Sequence, residues 1–144
     1  MYSIFTVSKK LLPILLCAVS LALIFLYGLT VSAQNNATKP SERDIIEYIN
    51  FYGYMVDPNC EKSEITIPSK FGDVYNGYNE LQKRQGFDLS KYRGKTVTQY
   101  TYRVLRHPSG SQNVYIHLLV SNNKIIGGDI SSTELDGFME PFKE

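Results

Sequence analysis

The feature that most constrains this chain is the apolar run from Leu11 to Thr30. It contains no ionisable side chain other than Cys17 and Tyr27, both uncharged at neutral pH. As a helix it would be about 30 Å long, the thickness of a bilayer core. Lys9 and Lys10 precede it, and the uncharged Gln34-Asn35-Asn36 follows. The positive-inside bias then puts the N-terminus in the cytoplasm and residue 34 onward outside. A buried core helix fits poorly, because the run is apolar on every face.

Two fates of this segment compete. In one, residues 11–31 form a single-pass anchor in the cell membrane, with the N-terminus inside and the domain outside. In the other, Val31-Ser32-Ala33 is the small-residue site of a signal peptide, and the protein is secreted after cleavage following Ala33. A signal core of about 7–15 residues is usual, and the longer run here favours the anchor. A lipoprotein reading fails because Cys17 lies mid-run after Leu15-Leu16. Residues 1–33 are thus a cytoplasmic tip and anchor or leader, 34–40 a polar linker, and 41–144 an extracytoplasmic domain.

The outer part has a near-neutral charge. Without Lys9 and Lys10 the chain keeps 13 basic against 14 acidic residues, a net −1. Nucleic-acid binding usually shows a basic footprint, and none is present. Cys17 and Cys60 fall on different sides of the boundary and cannot pair. Cys60 reads as a free thiol or an intermolecular link on a solvated loop.

Local patterns predict an α+β fold: two helices packed on a small antiparallel sheet, a three-stranded meander plus one or two short strands. Ser41 is the expected N-cap of a helix carrying Ile45, Ile46, Ile49 and Tyr52, with Glu42 and Asp44 in its first turn and Gly53 as its stop. Tyr54-Met55-Val56 and residues 64–67 read as short strands around a turn at Asp57-Pro58-Asn59. Pro68 is expected to open a second helix with Phe71, Val74, Tyr75, Tyr78, Leu81, Gln82 and Gln85 on one face and Gly86 at its end. Asp88 to Tyr92 reads as one tight turn. Thr96 to Leu105, Val114 to Val120 and Lys124 to Ile126 form the meander. In the middle strand Val114, Ile116, Leu118 and Val120 fall on one face, and Tyr115, His117 and Leu119 on the other.

Reactive constellations are sparse. His107, His117 and Cys60 lack the paired spacing of a zinc site, so no metal and no cofactor is implied. There is no nucleophile-elbow motif. Paired carboxylates offer the best enzymatic candidate, Asp88 after Gly86-Phe87 and Asp129 after Gly127-Gly128, which would suit two-acid hydrolysis if they converge. The competing structural reading has Asp88 capping the tight turn and Asp129 accepting hydrogen bonds at a strand end. Gly127-Gly128 lacks the rest of a phosphate loop and marks a bulge or close backbone approach.

Tyrosines supply the candidate recognition surface. Tyr75 and Tyr78 share a helix face, and Tyr100 and Tyr102 share a strand face. Tyr78, Asn79, Tyr100 and Tyr102 are the candidate ligand contacts, for a protein, peptide or cell-wall glycan partner. In the competing reading these rings are core, standing in for the Trp that the chain lacks.

The stretch Ile67-Pro68, Phe71, Val74-Tyr75, Tyr78-Asn79, Leu81-Gln82, Gln85-Gly86-Phe87-Asp88-Leu89, Tyr92, Gly94 and Tyr100-Thr101-Tyr102 resembles a bacterial domain-of-unknown-function family, numbered 4830. Leu118-Leu119-Val120, Ile126-Gly127-Gly128-Asp129 and Leu135-Asp136-Gly137-Phe138 are similar to it as well. The resemblance runs from about residue 43 onward. It implies an apolar N-terminal segment before the domain and a Gram-positive anaerobic source, and it brings no activity, ligand or catalytic residue.

Three readings follow. The first is a non-enzymatic binding or interaction module at the outer face of the membrane. The alternative is a small cell-wall hydrolase using Asp88 and Asp129. The third is a tether whose Ala18 and Ala22, four apart, let the span pack against another.

Overall fold

The computed structural model describes residues 40–143; the apolar run and its proposed anchor or leader role lie outside the described residues. Among the described residues no helix is long and apolar enough to cross a membrane. The elements are α1 (Glu42–Phe51), β1 (Val56–Thr66), α2 (Asp73–Arg84), a 3-10 turn (Leu89–Tyr92), β2 (Thr96–Val104), β3 (Val114–Ser121), β4 (Lys124–Ser132) and β5 (Met139–Glu140). The strands form one antiparallel sheet in sequence order. The α+β reading holds, with a longer first strand and an added fifth.

Helix α1 starts as its sequence dictates. Ser41 Oγ accepts from the Asp44 amide, and the Asp44 carboxylate accepts from the Ser41 amide, a reciprocal capping box. Gly53, at φ +89°, turns the chain out of the helix. The helix buries Ile45 and Ile49, each worth about 1.5–3 kcal/mol as removed apolar surface.

The two short strands expected around Asp57-Pro58-Asn59 are one strand, β1, with a register shift between Val56 and Cys60. The turn residues are absorbed as a bulge: Asp57 Oδ1 accepts from the Asn59 amide at 2.9 Å, and Pro58 has no amide to pair. Cys60 therefore sits in a strand, half-buried, and not on a solvated loop.

The second helix begins five residues later than Pro68 suggests. Ile67 is still tied to the sheet, its amide donating to Lys95 O and its carbonyl accepting from Gly94 N. The chain bends at Ser69-Lys70 before Gly72 caps α2. This changes the helical face. Val74, expected inside with Phe71, is 90% exposed, while Asn79, Leu81 and Gln82 are buried.

Strand alternation sorts the sheet into two faces. Tyr100, Leu118 and Gly128 stand in one cross-strand row, and Tyr102, Ile116 and Ile130 in the next. These pack with Ile45 and Ile49 of α1. The other face carries Val97, Leu119 and Ile126, packed with Ile67, Leu89, Tyr75 and Tyr78. The helices thus cover opposite faces. Asn122 and Asn123, both at positive φ, form the tight β3–β4 turn.

Gly127 and Gly128 are a close approach. A Cβ on Gly128 would lie 2.5 Å from the His117 carbonyl oxygen, and one on Gly127 would lie 3.0 Å from Gln82 Oε1. Gly127 lets Gln82 of α2 press its side-chain amide onto the backbone, while Gly128 makes room for Leu118 and Phe142. Gly128 N donates to Gln82 Oε1 at 2.8 Å, and Gln85 Nε2 donates to Gly128 O at 2.8 Å. Gln85 Oε1 also accepts from Phe142 N. Two glutamines thereby satisfy strand backbone where β5 does not reach.

Candidate functional site

The α2 surface gathers most of the sequence-derived candidates. Tyr78 Oη donates to Asp129 Oδ2 at 2.8 Å. The next residue, Asn79, donates through Nδ2 to Asp88 Oδ1 at 3.2 Å and accepts at Oδ1 from the Leu89 amide at 2.8 Å. Adjacent helix residues therefore each hold one of the two aspartates.

Their environments are opposite. Asp88 caps the 3-10 turn, accepting from the Ser90 amide at 3.0 Å as well as from Asn79. Hydrogen bonds from Ser90 and Asn79 pull its carboxyl down to about 2. Asp129 is 3% exposed, and burial raises its carboxyl above the usual range. A protonated His117 would oppose that rise, and the Tyr78 hydroxyl opposes it without cancelling it, while Ser131 adds a weaker downward pull. Ser131 completes no bond to Oδ1, which has no hydrogen-bond partner among the described residues.

Asp129 stands opposite His117 on β3, and His117 opposite Thr101 on β2. Gln99 Nε2 donates to His117 Nδ1 at 3.2 Å, so Nδ1 is the accepting nitrogen, and Thr101 Oγ1 lies 3.0 Å from it. Nδ1 is committed to β2 rather than to Asp129.

Tyr100 and Tyr102 do not reach this surface. They are 1% and 0% exposed and belong to the core under α1. Buried rings offer a partner nothing to touch, so the strand-face recognition site built on Tyr100 and Tyr102 is replaced by the core reading. Tyr102 Oη lies near the Cys60 thiol but completes no hydrogen bond. Asn79 is buried too, with both ends of its amide engaged.

Tyr78 is half-buried and lines the surface together with Tyr75, its partner on the expected helix face, and with Met139, which the sequence did not single out. Val74, Tyr75, Gly77, Tyr78, Leu81 and Met139 line an apolar groove of about 360 Å³. Val74 is 90% and Met139 55% exposed. Phe71, Tyr75 and Tyr78 form an aromatic ladder leading to it, with centroids 4.6 and 5.7 Å apart. Gly77 opens the middle of the groove. Met139 was invisible in the sequence because its strand forms only by pairing with Ser131 and Ile130. Among the described residues no group of three His, Cys, Asp or Glu could hold a metal ion.

The geometry defines a small α+β domain with helices on both faces of an antiparallel sheet, and with an apolar groove on one helix. A family model described as Domain of unknown function (DUF4830) matches residues 48–130. The chain belongs to that family, and the match includes α2, the aspartate contacts and the sheet through Ile130. No curated protein and no solved structure matches it.

Proposed function

We propose that this protein is a non-enzymatic binding module, displayed outside the cell on the single span formed by residues 11–31, that takes an apolar protein or peptide segment in the α2 groove. The observation that carries the reading is the groove itself. Val74 and Met139 are apolar and exposed, and they line it together with Tyr75 and Tyr78. Isolated exposed apolar residues are ordinary, but a contiguous set on a helix and the neighbouring strand suits a partner's side chains. The Tyr78–Asp129 bond fixes the ring that forms the groove floor, so little order has to be gained on binding.

The two-acid hydrolase is less well supported. It asks for a solvent-facing acid with a raised pKa. Asp129 has the raised pKa but is buried, and Asp88 reaches solvent but is held ionised by its capping bonds.

The test is photo-crosslinking in the full chain, in its native membrane, with a benzophenone amino acid at Val74 and, as control, at the exposed Arg106. The reading predicts a discrete adduct from position 74 that Met139→Glu removes. No adduct from position 74, or the same adducts from both positions, overturns it.

A further inference from the structure

The sheet has two edges, and they differ. The β4 side is closed by β5 and by Gln82 and Gln85, whose amides cover the Gly128 backbone, while Phe142 is bonded to Gln85. On the β1 side, β1 pairs only with β2 among the described residues. From Cys60 to Thr66 it is regular and mostly exposed, with an unbroken register against β2. An edge of this length is a template for another strand, and natural edges are usually guarded by charge.

The charges on β1 guard it selectively. A two-fold antiparallel pairing that continues the sheet must set residues of the same face opposite each other, which leaves only registers centred on a residue. Centring on Glu61, Lys62 or Glu64 places that residue opposite its own copy, and directly opposed like charges are unfavourable. Centring on Cys60 drives the partner into the Asp57–Asn59 bulge, where Pro58 has no amide. Centring on Ile65 runs the pairing beyond the strand end at Thr66 and onto Pro68. Centring on Ser63 uses all of residues 60–66. It sets Lys62 opposite Glu64 of the second copy, and Glu64 opposite its Lys62. Glu61 then meets Ile65, Cys60 meets Thr66, and Ser63 meets itself.

We propose that a second copy of this chain pairs along β1 in that register, making one ten-stranded sheet with Ser63 on the two-fold axis. Lys62 and Glu64 lie on the sheet face that carries Tyr100, where Lys62 is ion-paired with Glu42 and stands over the Tyr100 ring. The proposal is independent of the groove on α2.

Disulfide trapping in the full chain in membranes tests it, with Cys17 and Cys60 replaced by Ser. In the Ser63→Cys variant the two thiols stand directly opposite, within bridging distance. In Glu61→Cys, on the same exposed strand, they are four residues out of step, about 14 Å apart and too far to bridge. Mild oxidation is expected to give a covalent dimer from Ser63→Cys at least fivefold above Glu61→Cys. Adding Glu64→Lys should remove that excess, and combining it with Lys62→Glu and Glu42→Lys, which keeps an ion pair to α1, should restore it. Equal trapping at positions 61 and 63, no trapping at 63, or indifference to Glu64→Lys overturns the pairing.

Discussion

Tyr78 and Asp129 meet through a 2.8 Å hydrogen bond that ties helix α2 to strand β4 beneath the groove. Because burial raises the Asp129 carboxyl, the ionised form is disfavoured in the folded state. Its contribution is therefore full below the unfolded pKa of about 3.9 and is lost as pH rises through the folded value. Asp129→Asn keeps an acceptor for Tyr78 and removes the charge. Urea unfolding should show the variant at least as stable as the parent at pH 7, with the gap closing towards pH 4 as the parent's carboxyl takes up its proton.

Asp88 has the opposite sign. Its carboxyl is lowered to about 2 by Ser90 and Asn79, so the stability it gives is present above about pH 4 and is lost as pH falls towards 2. Asp88→Ala should lower the melting temperature at pH 6, and the difference from the parent should shrink as pH falls from 4 to 2. A parallel acid profile would mean that the capping bonds do not hold the charge.

Two glycines should respond in opposite directions. Gly128→Ala drives a methyl group into the His117 carbonyl, with Leu118 and Phe142 also in the way, and should cost about 3 kcal/mol or more or prevent folding. Gly77 sits inside α2 with nothing within 4 Å of an added Cβ. Gly77→Ala should stabilise by about 0.5–1 kcal/mol. Thermal melts of the two variants check both, and the Gly77 variant should also weaken partner capture if the groove is the binding surface.

Tyr102 buries a hydroxyl with no hydrogen-bond partner among the described residues. An unpaired buried hydroxyl is a penalty of about 1–3 kcal/mol. Tyr102→Phe should therefore leave stability unchanged or raise it, and should leave partner binding unchanged. A loss of binding with intact stability would return this residue to the functional surface.

What the sequence made legible follows from how local each signal is. The Ser41 N-cap, the Gly53 stop and the faces of β3 depend on neighbours within a few residues, and all are legible without the fold. The close approach at Gly127-Gly128 is legible too, because paired glycines in a strand have few other uses. The continuity of β1 is hidden, since Asp57-Pro58-Asn59 carries turn chemistry that pairing with β2 overrides. Val74 falls on the wrong face because Pro68 suggests an earlier helix start, and the tie from Ile67 to Lys95 is a long-range contact. Of the candidate site, Tyr78 and Asp129 stand out separately in the sequence, and only the fold joins them. Val74 and Met139 become a groove only once β5 has paired.

The most direct test of an exported, membrane-held binding module is its topology. In a variant with Cys17 and Cys60 replaced by Ser and the exposed Gln112 replaced by Cys, intact cells would be treated with a membrane-impermeant maleimide and then fractionated. We expect labelling without lysis, with the labelled chain in the membrane fraction. Labelling that occurs only after lysis would place the domain inside the cell and contradict an exported module.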